Sequence, residues 1–331
     1  MSLLACFARR AALRVALAGS LTGLMPALAA ADSYPERPIK LVVPWPAGGT
    51  ADTRARQIGE VLERALRQSV FVENKPGAGA TIGAALVARA KPDGYTLLWG
   101  SVNELALRPA AGPLPYDAAR DFSPVSLVNA NPLLLVAHPS SNIRSVNDLV
   151  SAARAKPGQL SYASAGNGTV HHFAGALLER RTGVSLNHVP YKGEAPAVAD
   201  VLAGHVPLGF CLPAPCRELI RSGKLNALMV TSARRTTSLP DVPSAKDAGV
   251  DGLEIVSWAG LLAPAGTAPE TVARLRGAIA AAIDGGPLRQ TIEASGSEAT
   301  ATTPEEFRRY LDEQDAKWQT ILRETGIRLD E

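Results

Sequence analysis

From Ile39 onward the sequence alternates short β-branched or apolar runs with longer stretches whose apolar residues recur at helical spacing. Residues 39–43, IKLVV, read as a strand. Residues 51–68 read as an amphipathic helix with Ile58, Val61, Leu62, Ala65 and Leu66 on one face. The same reading predicts strands at 70–73, 95–99, 133–137, 160–164, 185–189, 206–211 and 225–230. Helices are predicted over 81–90, 170–182, 195–203 and 216–222, with another capped by Ser145 and carrying Asp148 three residues on. Thr303-Pro304-Glu305-Glu306 is a capping box with proline at the first helical position, opening a long helix to about residue 324. Repeated βα units restrict the fold class to α/β, with mixed, mostly parallel sheets flanked by helices. Ligands of such sheets bind beyond the carboxyl ends of the strands, so the strand-to-helix loops carry the function.

The first 31 residues stand outside this pattern. Arg9, Arg10 and Arg14 precede an apolar stretch over 15–28, followed by small residues through Ala31. That is a cleaved secretory leader, too short and wrongly flanked for a membrane anchor, with cleavage expected after Ala29 or Ala31. The general secretory route fits better than twin-arginine export, because the residues flanking Arg9-Arg10 match the latter poorly. The leader holds three arginines and no acid, so the 34 basic and 31 acidic residues of the chain become 31 of each after export. A balanced charge excludes an electrostatic footprint for nucleic acid or an anionic membrane. Two cysteines remain, Cys211 and Cys216, and both a disulfide and two buried thiols fit an exported protein. Neither has a partner at zinc-ligand spacing, so no metal is expected. Roughly 300 mature residues predict two domains.

Three loops stand out. The first is Pro44-Trp45-Pro46-Ala47-Gly48-Gly49-Thr50-Ala51-Asp52. The second is Ala163-Ser164-Ala165-Gly166-Asn167-Gly168-Thr169, followed by His171 and His172. The third is Val189-Pro190-Tyr191-Lys192-Gly193. Glycines let the backbone approach a ligand, and helix N-termini offer unpaired N–H groups with partial positive charge. Converging loops of this kind make an anion site. Each loop taken singly is more often a packing device, Trp45 a core aromatic and Asp52 a first-turn charge.

Two other chemistries fit less well. Gly77-Ala78-Gly79-Ala80-Thr81-Ile82-Gly83 resembles a dinucleotide turn, but the strand ending Leu98-Trp99-Gly100-Ser101 brings no ribose-binding acid, so no cofactor is expected. Tyr162-Ala163-Ser164-Ala165-Gly166 resembles a hydrolase nucleophile elbow with tyrosine in place of the first glycine. His188 and His205 are candidate bases not tied to Ser164 by sequence. An exported α/β hydrolase using Ser164 is the alternative reading. His171 and His172 diverge by about 100° on a helix and share no ligand face.

The segments YPERPIKLVVPWPAGGTAD, VENKPGAGATIGA, PDGYTLL, YASAGNGT, HVPYKGEAPAVADVLAGHV, LPDVPSAKDAG and SWAGLLAPAGTAPE, in this order, resemble the Bordetella uptake protein family. Its members are similar to the extracytoplasmic solute receptors of tripartite tricarboxylate transporters. The resemblance implies a periplasmic, type II-like two-lobed binding protein that is no enzyme and acts as a monomer. Residues 32–132 plus about 240–331 would form one lobe and about 133–239 the other, closing by hinge motion on a ligand in the cleft. It implies a small di- or tricarboxylate, amino acid or aromatic carboxylate, held by backbone N–H groups and ordered water rather than by arginine. The membrane subunits of a tripartite transporter would be the partner. Carried over by position, Ala47, Gly48, Gly49, Thr50 and Asp52 form one wall. Ser164, Ala165, Gly166, Asn167, Gly168 and Thr169, with His172 nearby, form the other, and Tyr191, Lys192 and Gly193 close the pocket. Two departures matter. Trp45 stands where the family usually has Phe, which would narrow the pocket or stack on an aromatic ligand. Val206-Pro207-Leu208-Gly209-Phe210-Cys211 lacks both acids of the family's V-D-L-x-F-D, so Cys211 in the pocket would argue against an amino-acid ligand.

Overall fold

Four apolar residues, Ile39, Leu41, Val42 and Val43, place β1 (Ile39–Val43) inside a six-stranded sheet, with every residue but Lys40 buried. The computed structural model describes residues 34–236 and 238–328, and the leader expected over 1–31 lies outside the described residues. From β1 the chain passes through α1 (Thr50–Leu66), β2 (Val70–Asn74), α2 (Thr81–Ala88) and β3 (Thr96–Ser101). Both β2 and β3 pair parallel with β1, Ile39 lying opposite Val70 and Lys40 opposite Thr96. A π-helical turn, Asn103–Leu107, runs into α3 (Arg108–Ala111), and β4 (Phe122–Pro132) follows.

The second sheet is built from β5 (Leu134–Ala137), α4 (Val146–Ala155), β6 (Ser161–Ser164), α5 (Val170–Thr182), β7 (Asn187–Pro190) and α6 (Glu194–Leu202). It is completed by β8 (Leu208–Cys211), α7 (Pro213–Arg221) and β9 (Asn226–Val230). Residues 231–255 lead back to the first sheet. There β10 (Val256–Pro264) inserts between β3 and β4, and α8 (Pro269–Ile283), α9 (Pro287–Ala294), β11 (Glu298–Ala299) and α10 (Pro304–Thr325) follow. The strand orders are β11-β4-β10-β3-β1-β2 and β7-β6-β8-β5-β9.

The sheets are mixed, but not mostly parallel: five of the nine pairings among the described residues are antiparallel. The long strands β4 and β10, which carry much of that pairing, hide in the sequence. β4 holds two prolines and two asparagines within FSPVSLVNANP. β10 has Gly260 at its middle, where a Cβ would meet Ser126 O at 2.6 Å and the Phe307 ring at 2.7 Å.

Two features join the halves. Thr231, fully buried, fastens the two crossings between sheets to each other. Its hydroxyl accepts from Leu133 N–H at 2.7 Å and donates to Ile255 O at 2.6 Å, while its own N–H donates to Leu133 O at 2.8 Å. α10 opens on the expected capping box, Thr303 Oγ1 accepting from Glu306 N–H and Glu306 Oε2 from Thr303 N–H. Its Phe307 meets Trp258 of β10 edge-on at 5.9 Å, and its Trp318 meets Phe173 of α5 at 5.5 Å. Glu324 then pairs with Arg181 of α5 at 2.7 Å. One helix therefore packs on elements of both sheets. Among the described residues no helix is long and apolar enough to cross a membrane.

Candidate functional site

Beyond the carboxyl ends of β1, β6, β7 and β8, the first turns of three helices and the N-cap of a fourth line one cavity of about 200 Å³. The N-cap residues of α1, α5, α6 and α7 are Gly49, Thr169, Gly193 and Leu212, and all four face it. None makes a side-chain cap hydrogen bond. The lack of a cap is not peculiar to them, since α8 and α9 also start uncapped and begin away from the cavity. Helix starts leave N–H groups unpaired within the helix and carry partial positive charge, so α1 and α5 bias the cavity toward anions; α6 and α7 contribute less, with Pro196, Pro213 and Pro215 lacking N–H groups in their first turns.

The first loop is held from behind. Asp52, 4 % exposed, accepts from Gly48 N–H at 2.9 Å, Asn74 Nδ2 at 3.0 Å and Arg56 Nε at 3.1 Å. Burial alone would raise its carboxyl, but the bonds from Arg56, Gly48 and Asn74 outweigh burial and hold it below the usual range. Asn74 also donates to Trp45 O at 3.0 Å. Gly48, at φ +82°, takes the left-handed turn that lets its N–H reach Asp52. Asp52 thus shapes the loop, and Trp45, Ala47, Gly49 and Thr50 line the cavity, while Gly48 and Asp52 do not.

In the second loop Ala165 and Thr169 line the cavity, but Ser164, Gly166, Asn167 and Gly168 do not. Gly166 is needed where its backbone, at φ +128°, would set a Cβ 2.9 Å from Tyr191 O. His171, not His172, faces the cavity, because adjacent helical residues point about 100° apart. His172 instead accepts from Gly168 N–H at 3.2 Å and stacks on His188 at 4.0 Å. Ser164 is hydrogen-bonded to His188 Nε2 at 2.6 Å, a contact its sequence position did not announce. The hydroxyl is fully buried and also accepts from Gly166 N–H at 3.1 Å, so it staples its own loop. Burial, with His172 adding to it, pushes His188 down to about 4.

The third loop contributes Lys192 and Gly193, whereas Tyr191 turns away and donates to Asp200 Oδ2 at 2.6 Å. The next residue, Glu194, is the one the sequence reading passed over. Its Oε2 accepts from Thr50 Oγ1 at 2.8 Å, across from the first sheet, and its Oε1 accepts from Leu212 N–H. His171 Nε2 lies 3.6 Å from Oε1. Burial pushes the Glu194 carboxyl up, but His171, Leu212 and Thr50 together hold it below its ordinary value. Cys211 lies behind the wall. It is 1 % exposed, disulfide-bonded to Cys216 and absent from the cavity lining, because β8 turns Leu212 toward the cavity instead. The argument against amino acids drawn from Cys211 therefore loses its geometric footing.

Several lining residues were not foreseen. Arg54 lies four residues before Ile58 on α1, and a charge on that apolar stripe was its available signal. Asn129 and Asn131 share one face of β4, and each leaves its Oδ1 buried without a hydrogen-bond partner among the described residues. Trp99 Nε1 and His171 Nδ1 likewise lack a hydrogen-bond partner among the described residues, and His171 Nε2 has only its 3.6 Å approach to Glu194. Among the described residues no cluster of His, Cys, Asp and Glu suits a metal ion.

Two α/β lobes around a cavity lined by helix starts define a solute-binding protein of the periplasmic class, and solved structures agree. The periplasmic binding protein BugD is 33 % identical, with a TM-score of 0.82 over 89 % of this chain and 99 % of that one. R. palustris Rpa4515 with adipate is 34 % identical, with a TM-score of 0.84 over 89 % and 99 %. Among curated relatives, protein BugT of Bordetella pertussis is 36 % identical over 90 % of this chain and 92 % of its own. The chain belongs to the tripartite tricarboxylate transporter receptor family, whose model matches residues 54–327.

Proposed function

We propose that this protein is a periplasmic receptor that captures a small organic acid in the cavity and delivers it to the membrane subunits of a tripartite transporter. The observation that carries this reading is the convergence of the starts of α1, α5 and α6 on one cavity between the two sheets. Adipate on Rpa4515 supports an acid as the solute. The proposed lobes are residues 32–132 with about 240–331, and about 133–239. Closing them would exclude water and strengthen each N–H bond to a carboxylate. After loss of the leader the receptor would act in the periplasm as a monomer, without cofactor or metal.

Thermal unfolding of the exported protein with mono-, di- and tricarboxylates, amino acids and NAD tests the reading. A solute at a hundred times its dissociation constant stabilises by about 2.7 kcal/mol. A shift with one class of acid is expected; a shift with NAD alone would overturn the receptor. The 2.6 Å contact between Ser164 and His188 keeps the hydrolase reading testable. Ser164→Ala is expected to retain solute binding, and an ester-cleaving activity lost in that variant would favour the hydrolase.

A further inference from the structure

Of the charged groups that line the cavity, Arg54 is buried and Glu194, its side chain 11 % exposed, is nearly so, and the two are opposite in sign. Arg54 is 7 % exposed and stands one helical turn beyond Thr50 on α1. Its guanidinium donates to two neutral groups, Gln57 Oε1 at 2.7 Å and Ser295 Oγ at 2.8 Å, with no carboxylate paired to it among the described residues. Burial lowers it to about 10, so it keeps its charge at neutral pH. A buried cation without an anion is costly, and a ligand that supplies the anion recovers that cost.

Glu194 is the reverse case. Its carboxylate already collects the Thr50 hydroxyl, the Leu212 N–H and the neighbouring His171, and so takes the place where the helix starts would meet an anion. Lys192, the other lining cation, is exposed to solvent. Half-buried Trp45 also lines the cavity, with Trp99 and Trp258 fully buried in the wall around it. A second carboxylate among the same helix starts would meet Glu194, and like charges repel strongly where water is scarce.

We infer that the solute is a monocarboxylate with a flat aromatic body, its carboxylate seated on the Arg54 guanidinium and its ring against Trp45, and that Glu194 disfavours acids bearing a second carboxylate. This rests on the receptor reading above. It departs from capture by backbone and water alone, which the family resemblance implies. An Arg fork grips a carboxylate through two parallel bonds, and indole faces favour a planar apolar body.

Calorimetric titration of the exported protein with benzoate, 3-phenylpropionate, adipate and citrate decides it. One aromatic acid is expected to bind at least about 10-fold tighter than adipate or citrate. Arg54→Met should weaken that acid by about 30-fold or more, the loss of a charged hydrogen-bond partner. Glu194→Gln should improve adipate by about 10-fold relative to the aromatic acid. The inference alone is overturned if adipate or citrate binds the wild type more tightly, or if Arg54→Met binds benzoate and 3-phenylpropionate unchanged. Should Arg54→Met fail to fold, Glu194→Gln decides, and no gain for adipate overturns the proposal. Binding of none of the four acids would overturn this inference, while the receptor reading falls only if the wider panel of acids also fails to shift the melting temperature.

Discussion

Glu104 is fully enclosed in the π-helical turn after β3, and burial pushes its carboxyl up to about 8 despite hydrogen bonds from Ser101 N–H and Oγ. Ser101 Oγ also accepts from Trp45 Nε1 at 3.4 Å, so the acid supports the cavity wall. Its folded value lies above its ordinary one of 4.5, so its contribution to stability is complete below that value. The contribution declines as pH rises and is lost by about 8, because the unfolded chain releases the proton first. Glu104→Gln is therefore expected to lack this decline and to melt above the wild type at alkaline pH, as paired melting curves across pH would read. Asp52 works in the opposite sense, as a charged acceptor for three donors. Asp52→Ala is expected to cost about 2–3 kcal/mol in denaturant unfolding, by leaving Gly48 N–H and Asn74 without their acceptor. It should also weaken every solute, since it slackens the loop that carries Thr50.

At the scale of elements, the βα units of both sheets were legible because their strands are short apolar runs and their helices have caps or amphipathic stripes. Helix 170–182 was read from the sequence with the bounds it has in the structure. The glycine loops were legible as loops, yet only some of their residues line the cavity, because turn geometry decides which side chains face inward. Gly166 and Gly168 serve the turn, and Thr169 faces the space. What sequence could not show is contributed by other elements. Asn129 and Asn131 sit on a strand disguised by prolines, and Glu194 acts through Thr50, 144 positions away. Thr231 is of the same kind: a lone threonine whose role appears only where the chain crosses between sheets. Thr231→Val keeps the shape but strips partners from Leu133 N–H and Ile255 O. It is expected to cost about 1–3 kcal/mol in chemical denaturation.

For the whole molecule, the two sheets are not independent folding units. α10 reaches both, with Phe307 on Trp258 and Trp318, 1 % exposed, on Phe173. Scanning calorimetry is expected to show one unfolding transition in which calorimetric and van't Hoff enthalpies agree. Trp318→Ala, costing about 3–5 kcal/mol through its cavity, should lower that single transition or split it in two. The family's fold was legible in the sequence, but this coupling was not, since α10 reads simply as an amphipathic C-terminal helix. Its reach limits how such receptors can be recombined. A chimera that takes residues 134–230 from one relative and the rest from another would inherit Phe173 from one parent and Trp318 from the other. Unless both sides of that contact travel together, the graft exchanges a specificity surface at the expense of the joint that makes the halves one protein.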